Sequence, residues 1–287
     1  MDCKGNWLKP AKDMGDVAPL FQKSFTLTKP VASALLHITA IGVYEARLNG
    51  QRVGDFIMAP GWTSYDHRLQ VQTYDVTQIL NSDENTERSR QHLEVLVGKG
   101  WYRSRLVGWE ASARQNKLRQ QPAGLLAWLE IIYTDGRAEA MGTDESWTVT
   151  QSPVRFSEIY DGEIFDATFV PGEPEAAEIF DGPWETLIPQ QGDAVTEQEY
   201  LKPACIFTTP KGEIVVDFGQ EITGYVEIAL DADRGDIVDL SFAEVMDKEG
   251  NFYTENYRSA KAQYHYTCRK GHQTWKPLLT FYGFRYA

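Results

Sequence analysis

From Leu36 to Leu48 apolar and polar residues alternate with a period of two and then meet Asn49 and Gly50, which commits this part of the chain to a β-hairpin. Leu36, Ile38, Ala40, Tyr44, Ala46 and Leu48 share one face, and His37, Thr39, Glu45 and Arg47 the other; Ile41 and Val43 break the pattern. The alternation predicts one half-buried strand. Asn49 and Gly50 both tolerate positive φ, so the chain should turn there and return through Arg52 and Val53. Leu69, Val71, Thr73 and then Leu93, Val95, Val97 predict further strands. Residues 125–133 are apolar on both faces, as an interior strand is, and return through Trp147 and Val149 after Asp135 and Gly136.

After Phe169 the texture changes to proline, glycine and acids with little periodicity, which reads as a linker over 171–200. A second strand-rich unit starts near Lys202, with alternation at Ile214, Val216, Phe218, at Val226, Ile228, Leu230, at Val238, Leu240, Phe242 and at Tyr264, Tyr266, Cys268. Turn clusters at 231–235 and 247–251 separate these runs at the spacing of an antiparallel sandwich. Helix is expected only as a turn or two after Asp75, with Thr77 as its cap. The fold class is all-β: two antiparallel β-sandwiches in series, an N-terminal extension at 1–16, a first sandwich at 17–170, the linker, and a second sandwich at 201–287. The chain stops at Ala287 inside what reads as a strand, so the second sandwich is expected to be cut short.

With 42% hydrophobic and 12% aromatic residues the chain can bury two cores, and its net charge of −13 argues against nucleic acid, which requires a basic face. No run approaches a membrane span, and the first fifteen or so residues lack the apolar stretch of a signal peptide. Cys3, Cys205 and Cys268 have neither disulfide-framework nor zinc spacing. A cytoplasmic location is the expectation, although a removed leader would leave the same start.

Three blocks of the first half, residues 46–77, GKGWYRSRL (98–106) and YDGEIFDA (160–167), resemble the amino-terminal β-sandwich module of bacterial α-L-rhamnosidases. In the second half VDFGQEITGYVEI (216–228), LSFAEVMDKEGNFYTENYRSAK (240–261) and TFYGFRYA (280–287) resemble the concanavalin-like domain that follows it in those enzymes. Lys99 stands where an acid or asparagine is commoner, and Thr168 where a basic residue is usual. The resemblance implies a jelly-roll, galactose-binding-like first domain and a concanavalin-like second one. It also implies inverting hydrolysis of terminal α-L-rhamnosides by a carboxylate pair on an (α/α)6 barrel that follows. Twelve barrel helices need far more helix than this sequence supplies, so this chain alone is expected to be an inactive, noncatalytic region that supports the barrel or recognises rhamnose-containing glycans. Two alternatives stand beside this: an independent, calcium-assisted carbohydrate-binding module, and a self-sufficient β-sandwich glycosidase using Glu163 and Glu244.

Candidate sugar contacts are Trp62, Tyr65, Asp66 and Arg68 in GWTSYDHR, and Trp101, Tyr102 and Trp109 in the glycine-rich segment after Val97. Aromatic faces stack on pyranose rings while charged groups hydrogen-bond hydroxyls; the competing role for all seven is packing at one end of the sandwich. Asp161, Glu163 and Asp166 are candidate calcium ligands, and turn caps or salt links are their competing roles. No cofactor is required. The polar segment with Glu244, Tyr253, Glu255, Asn256, Arg258 and Lys261 is either a docking face for the barrel or ordinary hairpin surface, and the five histidines show no metal spacing.

Overall fold

The computed structural model describes residues 2–81, 90–105 and 113–287, the backbone alone at 113–115. Its first half contains β1 (Leu8–Pro10), β2 (Pro19–Thr26), β3 (Val31–Ile41), β4 (Val43–Leu48), β5 (Gln51–Arg52), β6 (Leu69–Asp75), β7 (Arg90–Gly98), β8 (Gly124–Tyr133), β9 (Ala138–Gly142), β10 (Thr148–Gln151), β11 (Val154–Glu158), β12 (Gly162–Asp166), β13 (Glu175–Ile179) and β14 (Leu187–Pro189). Two short helices, α1 (Thr77–Leu80) and α2 (Ala113–Arg119), are the only α-helices among the described residues.

The strands form two layers, β14-β6-β3-β8-β1 with β9 beside β8, and β10-β2-β7-β4-β5. β13 links the layers, pairing with β1 through residues 177–179 and with β10 through 175 and 176. Between them Phe21, Leu36, Ile38, Ala40, Val95 and Leu125 build the first core. β8 is buried on both faces as its sequence predicts: Leu126 and Trp128 join a second cluster with Trp7, Leu69 and Val71 on the outer side. Parts of the stretches expected as an extension (1–16) and a linker (171–200) are built into the first sandwich: Trp7 is fully buried, and β1, β13 and β14 all pair within it.

The hairpin forms as predicted, with Arg47 opposite Arg52, Asn49 at φ 53° and Gly50 at φ 77°. The strand leading into it is two strands. At Gly42, φ 138°, the chain leaves the layer of β3 and enters the layer of β4. Ile41 and Val43 break the alternation because they flank this crossing and bury in separate clusters. The expected cap Thr77 is displaced by one residue. Val76 holds the N-cap position, Asp75 Oδ1 accepts the Thr77 N–H at 2.9 Å, and Thr77 Oγ1 accepts the Ala34 N–H at 2.9 Å, tying α1 to β3.

The second half supplies β15 (Cys205–Thr208), β16 (Ile214–Gly224), β17 (Ile228–Ala232), β18 (Ile237–Ser241), β19 (Val245–Met246), β20 (Phe252–Tyr253), β21 (Gln263–Thr267), β22 (Gly271–Trp275) and β23 (Tyr282–Tyr286). They pair as β15-β16-β23, β17-β22 and β19-β20, while β18 and β21 complete a sheet begun by the first half, β11-β12-β21-β18. β12 and β21 run parallel, Gly162 opposite Gln263. The core here is aromatic: the Phe242 ring lies 4.7 Å from Tyr264, 4.7 Å from Phe284 and 4.9 Å from Tyr282. The fold is all-β, as expected, with one sandwich following the other along the chain, and the two share a sheet that interlocks them.

Gly42 and Gly50 separate two costs. Gly50→Ala meets nothing within 4 Å and should destabilise by about 1 kcal/mol from its positive φ alone. A Cβ at Gly42 would overlap the Gly98 carbonyl oxygen as well, so Gly42→Ala should cost roughly 3 kcal/mol or more in urea unfolding followed by circular dichroism. Equal costs at the two positions would contradict the layer crossing.

Candidate functional site

Two loops of the first sandwich and one segment of the second meet at one place. The first loop enters through Met58 (φ 60°), the cis Ala59-Pro60 bond and Gly61 (φ 86°). Its backbone is held from inside, with Tyr44 N–H donating to Ala59 O at 2.7 Å and Gln70 Nε2 to Pro60 O at 3.1 Å. Tyr65 Oη donates back to Gly61 O at 3.0 Å. A loop tied this way presents Trp62 to solvent, 66% exposed. The second loop leaves β7 at Gly98, where a Cβ would crowd Ser157 and Leu279, and passes Gly100, where one would crowd Val43. These glycines draw Trp101 down onto Phe281, ring centroids 5.9 Å apart. Trp62 then stacks parallel to Trp101, at 6.1 Å and 6°.

The predicted aromatics thus divide. Trp62 is exposed and stacks on the half-buried Trp101, whereas Tyr65 and Tyr102 pack against each other at 4.5 Å, 5% and 4% exposed. Burial pushes both tyrosine hydroxyls above their ordinary pKa, with each phenol shut into the cluster around Trp7 and Trp128. Packing is the role the structure gives these two. Asp66 and Arg68 are exposed on the same loop, and Trp109 lies outside the described residues. Phe281 is the residue that sequence reasoning misses: it falls out of phase with Tyr282 and Phe284, which the strand pattern singles out.

The three acids of YDGEIFDA do not converge. Asp161 takes Arg105 Nε at 2.7 Å in a two-pronged pair, Asp166 Oδ1 accepts from Thr168 N at 2.8 Å and Oγ1 at 2.7 Å, and Glu163 turns into the interior, 1% exposed. Glu163 and Asp166 lie three apart on β12 and so face opposite ways, Asp161 precedes the strand, and each acid has found protein donors of its own. Among the described residues no group of three or more acids, histidines or cysteines is placed to hold a metal ion.

Around this hairpin the two sandwiches are riveted together. Arg105 reaches the Ser259 carbonyl at 2.6 Å beyond its pair with Asp161, and its guanidinium lies 5.1 Å from the centre of the Tyr160 ring. Glu158, 3% exposed, accepts from Ser104 Oγ, from Arg105 N at 2.8 Å, from Tyr160 N at 2.6 Å and from Asp161 N at 2.9 Å. Glu163 accepts the N–H groups of Leu278 at 3.2 Å and Leu279 at 3.0 Å. Burial pushes the Glu163 carboxyl up to about 8, the two backbone donors pull it down in part, and Glu45 pushes it up further. In the polar segment of the second sandwich Asn256 Nδ2 donates to Glu244 at 2.7 Å.

Residues 29–215 match the α-L-rhamnosidase N-terminal domain family, and residues 207–287 the bacterial α-L-rhamnosidase concanavalin-like domain. An α-L-rhamnosidase of Formosa agariphila is 33% identical over 312 residues, which cover 100% of this chain and 32% of that protein. One from Streptomyces avermitilis is 36% identical over 272 residues, 90% of this chain and 25% of that protein. Among solved structures, native α-L-rhamnosidase from Aspergillus terreus is similar at a TM-score of 0.89 and 33% identity, covering 99% of this chain and 33% of that one. The Streptomyces avermitilis enzyme complexed with L-rhamnose gives 0.82 at 33% identity, over 94% and 26% of the two chains. The chain spans about a third of the length of the first of these curated relatives.

The division of the aromatics is measurable as stability. Trp62→Ala should cost less than about 0.5 kcal/mol, while Tyr65→Ala and Tyr102→Ala should each cost roughly 3–5 kcal/mol in chemical denaturation, as large buried aromatics do. A Trp62 cost as large as that of Tyr65 would place Trp62 in the core and remove the stacked pair.

Proposed function

The chain belongs to the α-L-rhamnosidase family, and from that premise we propose that it is the noncatalytic amino-terminal region of an enzyme hydrolysing terminal α-L-rhamnosides. Its interlocked sandwiches support the catalytic barrel, and the Trp62–Trp101 pair offers an aromatic face to the glycan. The carrying observation is the exposed Trp62, stacked parallel on the half-buried Trp101, which is itself backed by Phe281 from the other sandwich. A pyranose presents a patch of C–H groups on one face, and an indole is the side chain best matched to cover it. Asp66 and Arg68, exposed on the same loop, are the groups that would meet ring hydroxyls.

Chemistry by this chain alone is disfavoured on geometric grounds. An inverting pair needs two carboxyls about 6.5–9.5 Å apart with a water and a sugar between them. Of the two carboxyls named for such a pair, Glu163 is sealed behind the backbone of 278 and 279 and closed to substrate, while Glu244 lies on the second sandwich, where it accepts from Asn256 Nδ2 at 2.7 Å.

The chain should leave an aryl α-L-rhamnoside uncleaved at the rate of buffer alone. Cleavage that disappears in Glu163→Gln or Glu244→Gln would make it a glycosidase in its own right. Titration with L-rhamnose, followed by ¹H–¹⁵N shifts, should show binding at millimolar sugar that Trp62→Ala abolishes. Absence of any shift would leave support of the barrel as the role.

A further inference from the structure

Most sheet edges among the described residues are blunted. β5 and β14 are two and three residues long, β9 carries Glu139, β11 Arg155, β18 Asp239 and β23 Arg285. Short or charged end strands resist pairing with another segment. β15 has neither protection. It ends the sheet β15-β16-β23, and among the described residues no strand pairs with its other side. Residues 203–210, PACIFTTP, hold no charge in a chain of which 24% is charged.

The register adds an apolar face to this open edge. Ile206 lies opposite Val216 and Thr208 opposite Ile214, so these four share one side of the sheet. Ile206 is 64% exposed and Ile214 76%, whereas Val215, which points the other way, is 1% exposed. One side of the sheet is covered and the other is bare. The Thr209 N–H donates to Glu213 O at 2.9 Å, which makes 209 and 213 a hydrogen-bonded pair. Alternation along the strand then turns the N–H and C=O of Cys205 and Phe207 toward β16, and those of Ile206 and Thr208 away from it.

We propose that β15 is a strand-addition site, completed by an extended segment from the remainder of the parent enzyme that pairs with Ile206 and Thr208. This rests on the reading above that the chain is the amino-terminal region of an α-L-rhamnosidase, and it names the contact by which the second sandwich holds the rest. That rest is large, since the chain spans about a third of the Formosa agariphila relative. The segment is uncharged, like 203–210, and every second side chain is apolar, extending the face of Ile206 and Ile214. A helix laid on this edge would bury the main-chain groups of Ile206 and Thr208 without satisfying them. A strand satisfies both.

The test is amide exchange, resolved to single residues by electron-transfer fragmentation, on the 287-residue chain and on the complete enzyme. In the chain alone the Ile206 and Thr208 amides should exchange close to the intrinsic rate at every concentration, and in the complete enzyme about a hundredfold more slowly. Ile206→Pro removes an outward N–H and keeps an apolar side chain, so Phe207 should stay protected in the variant chain alone. In the complete enzyme the variant should return Thr208 to the fast rate. If the proline speeds exchange at Phe207 in the chain alone, Ile206→Lys is read in its place. Three results overturn strand addition and leave the reading above standing: equal exchange in chain and enzyme, slow Thr208 exchange that survives the variant, and protection of the chain alone that deepens with concentration, which gives the edge to a second copy. A reading frame that ends at Ala287 removes the partner and fails both.

Discussion

The close approach of β12 to β21 is the constraint on which the rest of the molecule depends. Residues about a hundred positions apart lie side by side, and a Cβ on Gly162 would strike the Gln263 carbonyl oxygen. Once that contact is made, the hairpin β11–β12 leaves the first sandwich and becomes the seed of the second. Glu158, Asp161 and Glu163 are carried to the boundary with it, where they meet Arg105, Ser259 and the backbone at 278 and 279. The aromatic platform is a product of the same contact, because its floor, Phe281, arrives from the other side.

Burial explains why the acids are so differently used. In water three carboxylates within six residues would repel weakly and stay solvated. At the boundary each must find donors or give up its charge. Asp161 finds a guanidinium and Glu158 finds four donors. Glu163 finds two amides and no cation. The number and charge of donors, rather than the identity of the acid, set what each does.

The strands were legible where one face is wet or where an unbroken apolar run marks an interior position. β4, its turn at Asn49 and Gly50, and β21 follow from periodicity, β8 from its continuous apolar run, and even the misfit of Ile41 and Val43 marks the layer crossing at Gly42. The stretch 171–200 was not legible, because β13 and β14 are short and owe their form to edges offered by β1, β10 and β6. The sheet shared by the two sandwiches was hidden for a related reason: no local pattern in YDGEIFDA announces a partner a hundred residues away. Within the site, loops have no period, so nothing in GWTSYDHR distinguishes the exposed Trp62 from the buried Tyr65. Phe281 is hidden in the same way, one position out of step with the strand it precedes.

The two sandwiches are one body, joined by a shared sheet and by residues 276–281. Scanning calorimetry tests it most directly. A single body unfolds in one transition whose calorimetric and van't Hoff enthalpies agree. Two separated transitions, with the first sandwich outlasting the second, would contradict it.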